Sequence, residues 1–321
     1  KYNALIERFG NLDDAVRALN PTSELCDAVS SEMARASQLH IYYVSDEEEL
    51  YPSALREMKN HPPVITVRGN LGVLRRDMVS IVGTRHATAA GMELVADIAH
   101  SFAANGTTVV SGMAIGTDTA AHRGALRATG GAGTVAVLAG GADYIWPLEN
   151  EGLYWDIVSH GAVISEMPVG FVPVATNFVQ RNRIVAGMGN MLILGEADMK
   201  SGSMTTARFA IEYGRPVYAI PSHPSDPRAS GPNSLIRSGD ARICIGVADF
   251  FESDDLIAAN KKNEKKFDSE NSLIDAMGII PVSESVLAQL VKKSVSEIKS
   301  ELVVLELQGI VRKVDGGYVR A

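Results

Sequence analysis

The sequence predicts an α/β fold: a Rossmann-like, doubly wound parallel sheet with a short helical N-terminal segment and a small C-terminal winged-helix domain. Short apolar runs recur between residues 79 and 246, and most stretches between them have helical periodicity. Runs that are apolar throughout are typical of strands buried on both faces of a parallel sheet. Serine-capped helical segments followed by a glycine turn predict the winged helix.

The elements follow in chain order. The strands predicted for the main sheet are residues 79–82, 107–110, 134–138, 162–165, 191–194, 216–220 and 242–246. The helices predicted between them are residues 89–105, 118–129, 150–160, 178–187 and 204–214. Two earlier strands, residues 40–44 and 63–67, are expected to form an extension packed on this unit.

Four segments are predicted along the chain. Residues 1–40 form a partial helical segment, which we expect to belong to a unit that starts before Lys1. Residues 41–252 form the extended Rossmann-like domain, and the polar residues 253–271 form a linker. Residues 272–321 form the winged-helix domain, with helices at 272–278, 283–291 and 294–307 and a hairpin over 310–320.

Composition narrows the class of protein. The 321 residues are 46% apolar, yet no apolar run is long enough to span a bilayer and no signal-peptide pattern is present, so a cytoplasmic protein is expected. The two cysteines lie far apart and the seven histidines are scattered, which predicts no metal site.

The net charge of −8 argues against a nucleic-acid partner. However, 13 of the 14 basic residues between positions 64 and 250 are arginine, which permits an anion-binding face there.

Three glycine turns follow predicted strands. They are Gly83-Thr84-Arg85, the stretch from Ser111 to Asp118 with Gly112 and Gly116, and Lys200-Ser201-Gly202-Ser203. Free N–H groups and the helix dipole make a helix start an anion site, and three such turns at one sheet edge predict a site for a polyanion. Each turn taken alone is better explained as the tight connection that every strand–helix unit needs.

A basic cluster precedes the third turn. Arg181, Asn182 and Arg183 are predicted at a helix start, and Phe178 is the aromatic residue that adjoins them. An aromatic ring beside a charged groove is how single-stranded nucleic acid is bound without sequence preference. The alternative is that Phe178 is a core residue at a helix start.

The sequence gives little support for a bound cofactor or for a catalytic function. Gly131 to Ala136 matches the dinucleotide fingerprint, but it precedes a strand instead of following one, and no phosphate-binding Walker motif is present. We therefore expect no obligatory NAD or ATP and no cofactor. Asp118 and His122 are spaced as a possible acid–base pair, although a local hydrogen bond that settles the helix start is the more common role. Because Ser111 and Ser201 lack an identifiable base, a non-enzymatic protein is expected.

The ordered motifs resemble the DNA-processing protein A family (DprA, also called Smf). They are Gly83-Thr84-Arg85, SGMAIGTDTAAH (111–122), AVLAGG (136–141) with Trp146-Pro147, Ser165 to Pro168, Phe178 to Ile184, Lys200 to Ala207 and Gly231 to Arg237. The resemblance runs from about residue 40 to residue 250, and the tail is similar to that family's winged-helix domain. The N-terminal segment is similar to part of its helical, SAM-like domain. Two departures are Thr117, where isoleucine is usual, and Ser222, where glycine is usual.

The resemblance implies a bacterial recombination mediator. It would bind and protect single-stranded DNA taken up in natural transformation (competence), load the RecA recombinase on it, and form homodimers through the Rossmann domain. Carried over by position, Gly83, Thr84 and Arg85 would line the phosphate pocket, Lys200, Ser201 and Gly202 would complete it, and Arg181 with Arg183 would flank it.

Two alternatives remain open. One is a Rossmann-like nucleotide enzyme related to phosphoribohydrolases, which is disfavoured because the first acidic residue after the Lys200 turn is Glu212. The other is an interaction module that recruits a partner through its winged helix. The third helix of that unit has Glu297, Glu301 and Glu306 against Lys299 alone, so it favours a docking or structural role over DNA reading.

Overall fold

The fold is described from a computed structural model that covers residues 8–10, 12–251, 273, 283–291, 293–314 and 317–320. The chain forms two compact units, Lys1–Phe250 and Phe251–Ala321, and each is described separately below. Among the described residues, no helix is both long and apolar enough to cross a membrane.

A nine-stranded sheet forms the centre of the first unit, with the order β1-β2-β6-β5-β4-β3-β7-β8-β9. The strands are β1 (Ile41–Ser45), β2 (Val64–Gly69), β3 (Met78–Val82), β4 (Thr108–Ser111), β5 (Thr134–Val137), β6 (Ala162–Ser165), β7 (Leu192–Leu194), β8 (Val217–Ala219) and β9 (Arg242–Ile243). The chain moves outward from β3 to β6 and then returns to place β7 on the other side of β3. This reversal is the topological switch point of a doubly wound sheet, and it confirms the predicted fold class.

The strands from β3 to β9 are parallel, whereas β2 runs antiparallel to both β1 and β6. Thr66 pairs with Ser165 and Gly69 pairs with Ala162, so the segment expected to pack on the sheet as an extension instead continues it. The sheet is mixed for this reason. An antiparallel edge on an otherwise parallel sheet is common in such folds.

The helices of this unit are α1 (Leu12–Leu19), α2 (Ser23–Gln38), α3 (Ser53–Arg56), α4 (Ala89–Ala104), α5 (Thr117–Leu126), α6 (Glu151–His160), α7 (Ala175–Met188), α8 (Gly202–Glu212) and α9 (Ser230–Ser238). Several begin at a hydroxyl cap. The side chains of Thr22, Thr88 and Ser201 each accept a hydrogen bond from a backbone N–H of the first turn. Helix α7 begins three residues before the predicted start at Phe178. Arg181 and Arg183 therefore lie further inside the helix than predicted.

The main core lies between the sheet and the helices. Residues of β3 and β7 are fully buried, and Ile184, Val185 and Met188 of α7 pack against them. Close contact between helices depends on small residues, because a Cβ on Gly124 of α5 would lie 2.2 Å from the carbonyl oxygen of Ala96 in α4. This packing fixes the helix starts at the carboxyl edge of the sheet.

The second unit contains α10 (Glu284–Leu290), α11 (Val295–Leu307) and a hairpin of β10 (Val311–Val314) and β11 (Gly317–Arg320). Ser294 caps α11 and forms a reciprocal capping box with Glu297. Its core includes Leu287, Ile298 and Leu302. The predicted linker (253–271) lies outside the described residues, as does the predicted helix 272–278 except for Leu273, which belongs to the same core.

Candidate nucleic-acid interface

A cavity of about 360 Å³ opens at the switch point, where the loops after β3, β4 and β7 meet α7. We call it the switch-point cavity. Among the residues that line it are Gly83, Thr84, Arg85, His86, Gly112, Asp118, Phe178, Arg181, Asn182, Ser201, Gly202 and Ser203. Ligands of open α/β sheets bind in this crevice, beyond the carboxyl ends of the strands. The structure thus brings together residues of all three glycine turns and of the basic cluster.

Internal carboxylates engage the second turn and the start of α4. The carboxylate of Asp118 accepts hydrogen bonds from the N–H groups of Gly112 and Ala114, at 3.2 and 3.3 Å. The carboxylate of Glu196 accepts from the backbone N–H of Thr88 at 2.7 Å, and from its hydroxyl group, at the start of α4. These donors are therefore engaged by the protein's own carboxylates, which satisfy both the unpaired N–H groups and the helix dipole.

The start of α8 lacks such a carboxylate. Ser201 caps the helix by accepting from the N–H of Met204 at 3.4 Å, and Ser203 donates its hydroxyl to the carbonyl of Gly83 at 2.7 Å. Among the described residues, the backbone N–H groups of Gly202 and Ser203 have no hydrogen-bond acceptor. Because both residues line the switch-point cavity, an anion in the cavity would meet unengaged N–H donors at this helix start.

Arg181 is a buried part of the cavity wall. Its Nη1 donates to the carbonyl of Gly112 at 2.5 Å and to that of Val137, while Nε donates to the side chain of Asn182. Burial lowers the pKa of Arg181 to about 10, although the nearby Asp118 opposes this shift. The guanidinium group thus balances Asp118 and joins α7 to the loops after β4 and β5.

Arg183 is not among the residues that line the cavity. Its guanidinium group forms an ion pair with Glu166 and donates to the carbonyl of Asn60 at 2.8 Å. Residues two apart on a helix lie about 200° apart around its axis, so Arg181 and Arg183 point to different sides of α7. The two arginines predicted to flank one pocket are separated by this geometry.

Arg85 is the exposed cation of the cavity. Its guanidinium carbon lies 5.2 Å from the centre of the Trp146 ring, and the Trp146 and Phe178 rings lie 4.6 Å apart at an edge-to-face angle of 63°. Among the described residues, Arg85 has no carboxylate partner. Phe178, which lines the cavity, and the adjoining Trp146 therefore form an aromatic wall with a cation held against it.

Lys200, Ser111 and Gly116 were also predicted for the site, but they are not among the residues that line the cavity. Lys200 is exposed one residue before the α8 cap, and its backbone N–H donates to Asp198 at 2.7 Å. Ser111 is fully buried and donates its hydroxyl to the carbonyl of Ile81, so it faces the sheet. The sequence interpretation did not include Trp146 and His86 as site residues. Two features of the sequence could have indicated them. Trp146 belongs to the Trp146-Pro147 motif, and His86 directly follows Arg85.

The glycines of the first two turns permit close approach. A Cβ on Gly116, which has a φ of 80°, would lie 2.5 Å from the carbonyl oxygen of Thr84, and one on Gly112 would lie 2.8 Å from the Arg181 guanidinium. The hydroxyl and the backbone N–H of Thr117 both donate to the same Thr84 carbonyl at 3.2 Å, and isoleucine at this position would keep only the backbone bond. These residues therefore hold the loop of Arg85 in place.

The other departure is also accommodated. Ser222 is not among the described non-glycine residues with positive φ, which are Asn20, His40 and Met113. Its backbone N–H and C=O both pair with the side chain of Asn233, at 3.3 and 2.9 Å. Serine in place of glycine therefore needs no left-handed backbone here.

Asp118 and His122 are not hydrogen-bonded to each other. Thr134 donates its hydroxyl to the carbonyl of Val109, so the 2.7 Å contact between His122 Nδ1 and Thr134 Oγ1 has the histidine as donor. His122 Nε2 is then the unprotonated nitrogen, buried without a partner among the described residues. Asp118 lines the switch-point cavity but is engaged by the N–H groups of Gly112 and Ala114, whereas His122 is not among the lining residues.

His122 gives a testable pH dependence. Burial lowers its pKa from 6.5 to about 3. The unfolded chain thus takes up a proton below about pH 6.5 that the folded protein does not, and the free energy of unfolding decreases as pH falls, by about 1.4 kcal/mol per unit. In His122→Asn the decrease between pH 6 and 4 is expected to be shallower, measured by urea unfolding. Equal pH slopes in the two proteins would contradict this assignment.

Fold and cavity together define a Rossmann-like α/β protein with an anion-receptive crevice at the switch point. Among the described residues, no group of three His, Cys, Asp or Glu side chains is placed to hold a metal ion. The family model of DNA recombination-mediator protein A matches residues 42–254, and that of the DprA winged helix domain matches residues 258–317. The chain belongs to the DNA recombination-mediator protein A (DprA/Smf) family.

Individual relatives agree. The chain is 30% identical over 305 residues to Protein Smf of Escherichia coli, covering 91% of this chain and 81% of that protein. It is 36% identical to the DNA processing protein DprA of Bacillus subtilis over 63% of this chain and 67% of that protein.

Two solved structures are similar as well. The DprA structure of Streptococcus pneumoniae matches with a TM-score of 0.63 and 34% identity, over 68% of this chain and 78% of that one. The DprA structure of Helicobacter pylori, reported for its single-stranded DNA binding mode, matches with a TM-score of 0.60 and 29% identity, over 70% and 98%.

Proposed function

We propose that this protein binds single-stranded DNA in the switch-point cavity and loads RecA on it during recombination and natural transformation. The observation that supports this most strongly is the α8 start, where the N–H groups of Gly202 and Ser203 lack acceptors while the other two helix starts contain internal carboxylates. A DNA phosphate at this position would accept hydrogen bonds from those N–H groups, and the positive charges of Arg85 and Lys200 would attract it.

The aromatic wall supports single-stranded rather than duplex DNA. A base next to the bound phosphate would reach the rings of Trp146 and Phe178, which lie beside Arg85. Bases are available for stacking only when the strand is unpaired. The H. pylori relative is reported to bind single-stranded DNA, and that binding mode supports the same ligand here.

We also propose that the protein acts without catalysis, as an alternative to a phosphoribohydrolase-like enzyme. Asp118 and His122 are buried in the contacts given above, and the first turn of α8 contains Met204, Thr205 and Thr206 with no carboxylate. A direct assay of base release from AMP separates the two hypotheses. Release at a rate above that of an Arg85→Ala control would favour the enzyme.

A homodimer through the Rossmann-like domain is part of the proposal. Ile243 of the edge strand β9 and the nearby Ile245 are 53% and 71% exposed, which is unusual for isoleucine and favours a covered surface. Sedimentation of the purified protein measures the oligomeric state.

We also propose a cytoplasmic location, in keeping with the two free cysteines, Cys26 and Cys244.

RecA loading is tested by following RecA filament formation on single-stranded DNA through its DNA-dependent ATP hydrolysis. Addition of the protein is expected to shorten the lag before hydrolysis, whereas Arg85→Ala, with weakened DNA binding, is expected to leave a longer lag. A chain that ends at residue 271 tests the interaction-module alternative: unchanged DNA affinity with lost loading would assign recruitment to the winged helix. No shortening by the full chain would overturn the loading proposal.

A further inference from the structure

A second cavity, of about 300 Å³, lies at the opposite edge of the sheet, where β3 and β7 begin. We propose that this amino-edge cavity binds a phosphate group, either of a free nucleotide or of a DNA backbone. Its lining includes three arginines, Arg56, Arg75 and Arg76. No motif in the sequence directs attention to it, because Arg56 belongs to an earlier segment than the adjacent pair Arg75 and Arg76.

Arg56 is held in position before any ligand binds. Its Nε donates to the carbonyl of Asp46 at 2.8 Å and its Nη2 to that of Glu48 at 2.7 Å. The guanidinium carbon also lies 5.7 Å from the centre of the Tyr51 ring, which is buried. The described structure leaves Nη1 of Arg56 without an acceptor, so a fixed charge and one donor remain available.

Arg75 and Arg76 are exposed and lightly engaged. Arg75 forms an ion pair with Glu49 at 3.2 Å, with side chains 56% and 89% exposed, and such a surface pair contributes little. Among the described residues Arg76 has no acidic partner. A phosphate bound by two arginines forms stronger, bidentate hydrogen bonds, and it would displace Glu49.

The lining of the cavity is mainly polar, in keeping with a phosphate ligand. Tyr51, Leu74, Met78 and Met188 also line it, and they are buried behind the exposed arginines. The one other carboxylate of the lining, Asp77, accepts from the Asn190 amide at 3.2 Å. A volume of about 300 Å³ is at the lower end of small-molecule sites.

The test uses the full chain and the double variant Arg75→Ala/Arg76→Ala, with Arg123→Ala as a control that removes an exposed arginine outside both cavities. In the first arm, thymidine 5′-monophosphate is titrated and the backbone amide resonances of residues 53–56 and 74–77 are followed. In the second arm, oligothymidylates of increasing length are bound across a salt series.

A free-nucleotide ligand predicts saturable shifts in wild type and control, with binding at least about tenfold weaker in the double variant. A DNA ligand predicts a salt slope that the double variant lowers for long oligonucleotides but not for short ones. If neither arm separates the double variant from wild type, the inference is wrong. That failure would leave the proposed switch-point site standing, because the residues of that cavity are unchanged in these variants.

Discussion

Replacing Arg85 and Lys200 together by alanine is expected to weaken binding of single-stranded DNA by about 100-fold, because a hydrogen bond to a charged group contributes about 1.5 kcal/mol or more. Arg85 is the exposed cation against the aromatic wall, and Lys200 precedes the α8 start. Two lost phosphate contacts also lower the slope of log affinity against log salt by about 1.4. Fluorescence anisotropy of a labelled oligonucleotide measures both quantities.

The matched control is the double variant Arg123→Ala/Arg208→Ala, which removes the same charge from exposed positions outside the switch-point cavity. It is expected to keep most of the affinity. Neither residue pair takes part in the described core, so thermal unfolding should be close to wild type in both proteins. Equal loss of affinity in the two double variants would show that general charge, rather than this cavity, binds the strand.

Arg181→Met is expected to act mainly on the fold, with a loss of about 3–5 kcal/mol in the free energy of unfolding. The substitution leaves the buried carboxylate of Asp118 without its cation and removes donors from the carbonyls of Gly112 and Val137. Urea unfolding of wild type and variant measures the loss.

Two further substitutions show whether the loss is specific to the buried Arg181. Arg183→Met introduces the same change two residues later on α7, where the ion pair with Glu166 is partly exposed, so a smaller loss is expected. Asp118→Asn should cost less in the Arg181→Met background than in wild type, since the two groups interact. Additive losses would contradict the pairing of Asp118 with Arg181.

Much of the fold was accessible from the sequence. The buried strands from β3 to β8 and the helices between them are apolar runs and helical periods in regular alternation, and tertiary packing left these preferences in place. The place of β1 and β2 was not accessible. Their pairing with β6 joins residues about a hundred positions apart, such as Thr66 and Ser165, and local patterns contain no information on it.

The position of the switch-point cavity was predicted from the sequence, but the roles of several of its residues differ from the prediction. The three turns do converge, but internal carboxylates engage the second turn and the start of α4, and neither Asp118 nor Glu196 was assigned that role. Glu196 follows β7 directly, so a carboxylate at the carboxyl edge was a visible signal. The separation of Arg181 from Arg183 was accessible, because both lie inside the predicted helix 178–187 and residues two apart on a helix point to different sides.

Binding of a labelled single strand, with unlabelled duplex as competitor, across a salt series tests the central claim most directly. We expect single strands to bind well while duplex competes weakly, with a slope of log affinity against log salt near −0.7 for each phosphate contacted. A duplex that competes as well as an unlabelled single strand would contradict the account, since the aromatic wall of the switch-point cavity would then contribute nothing to the choice of ligand.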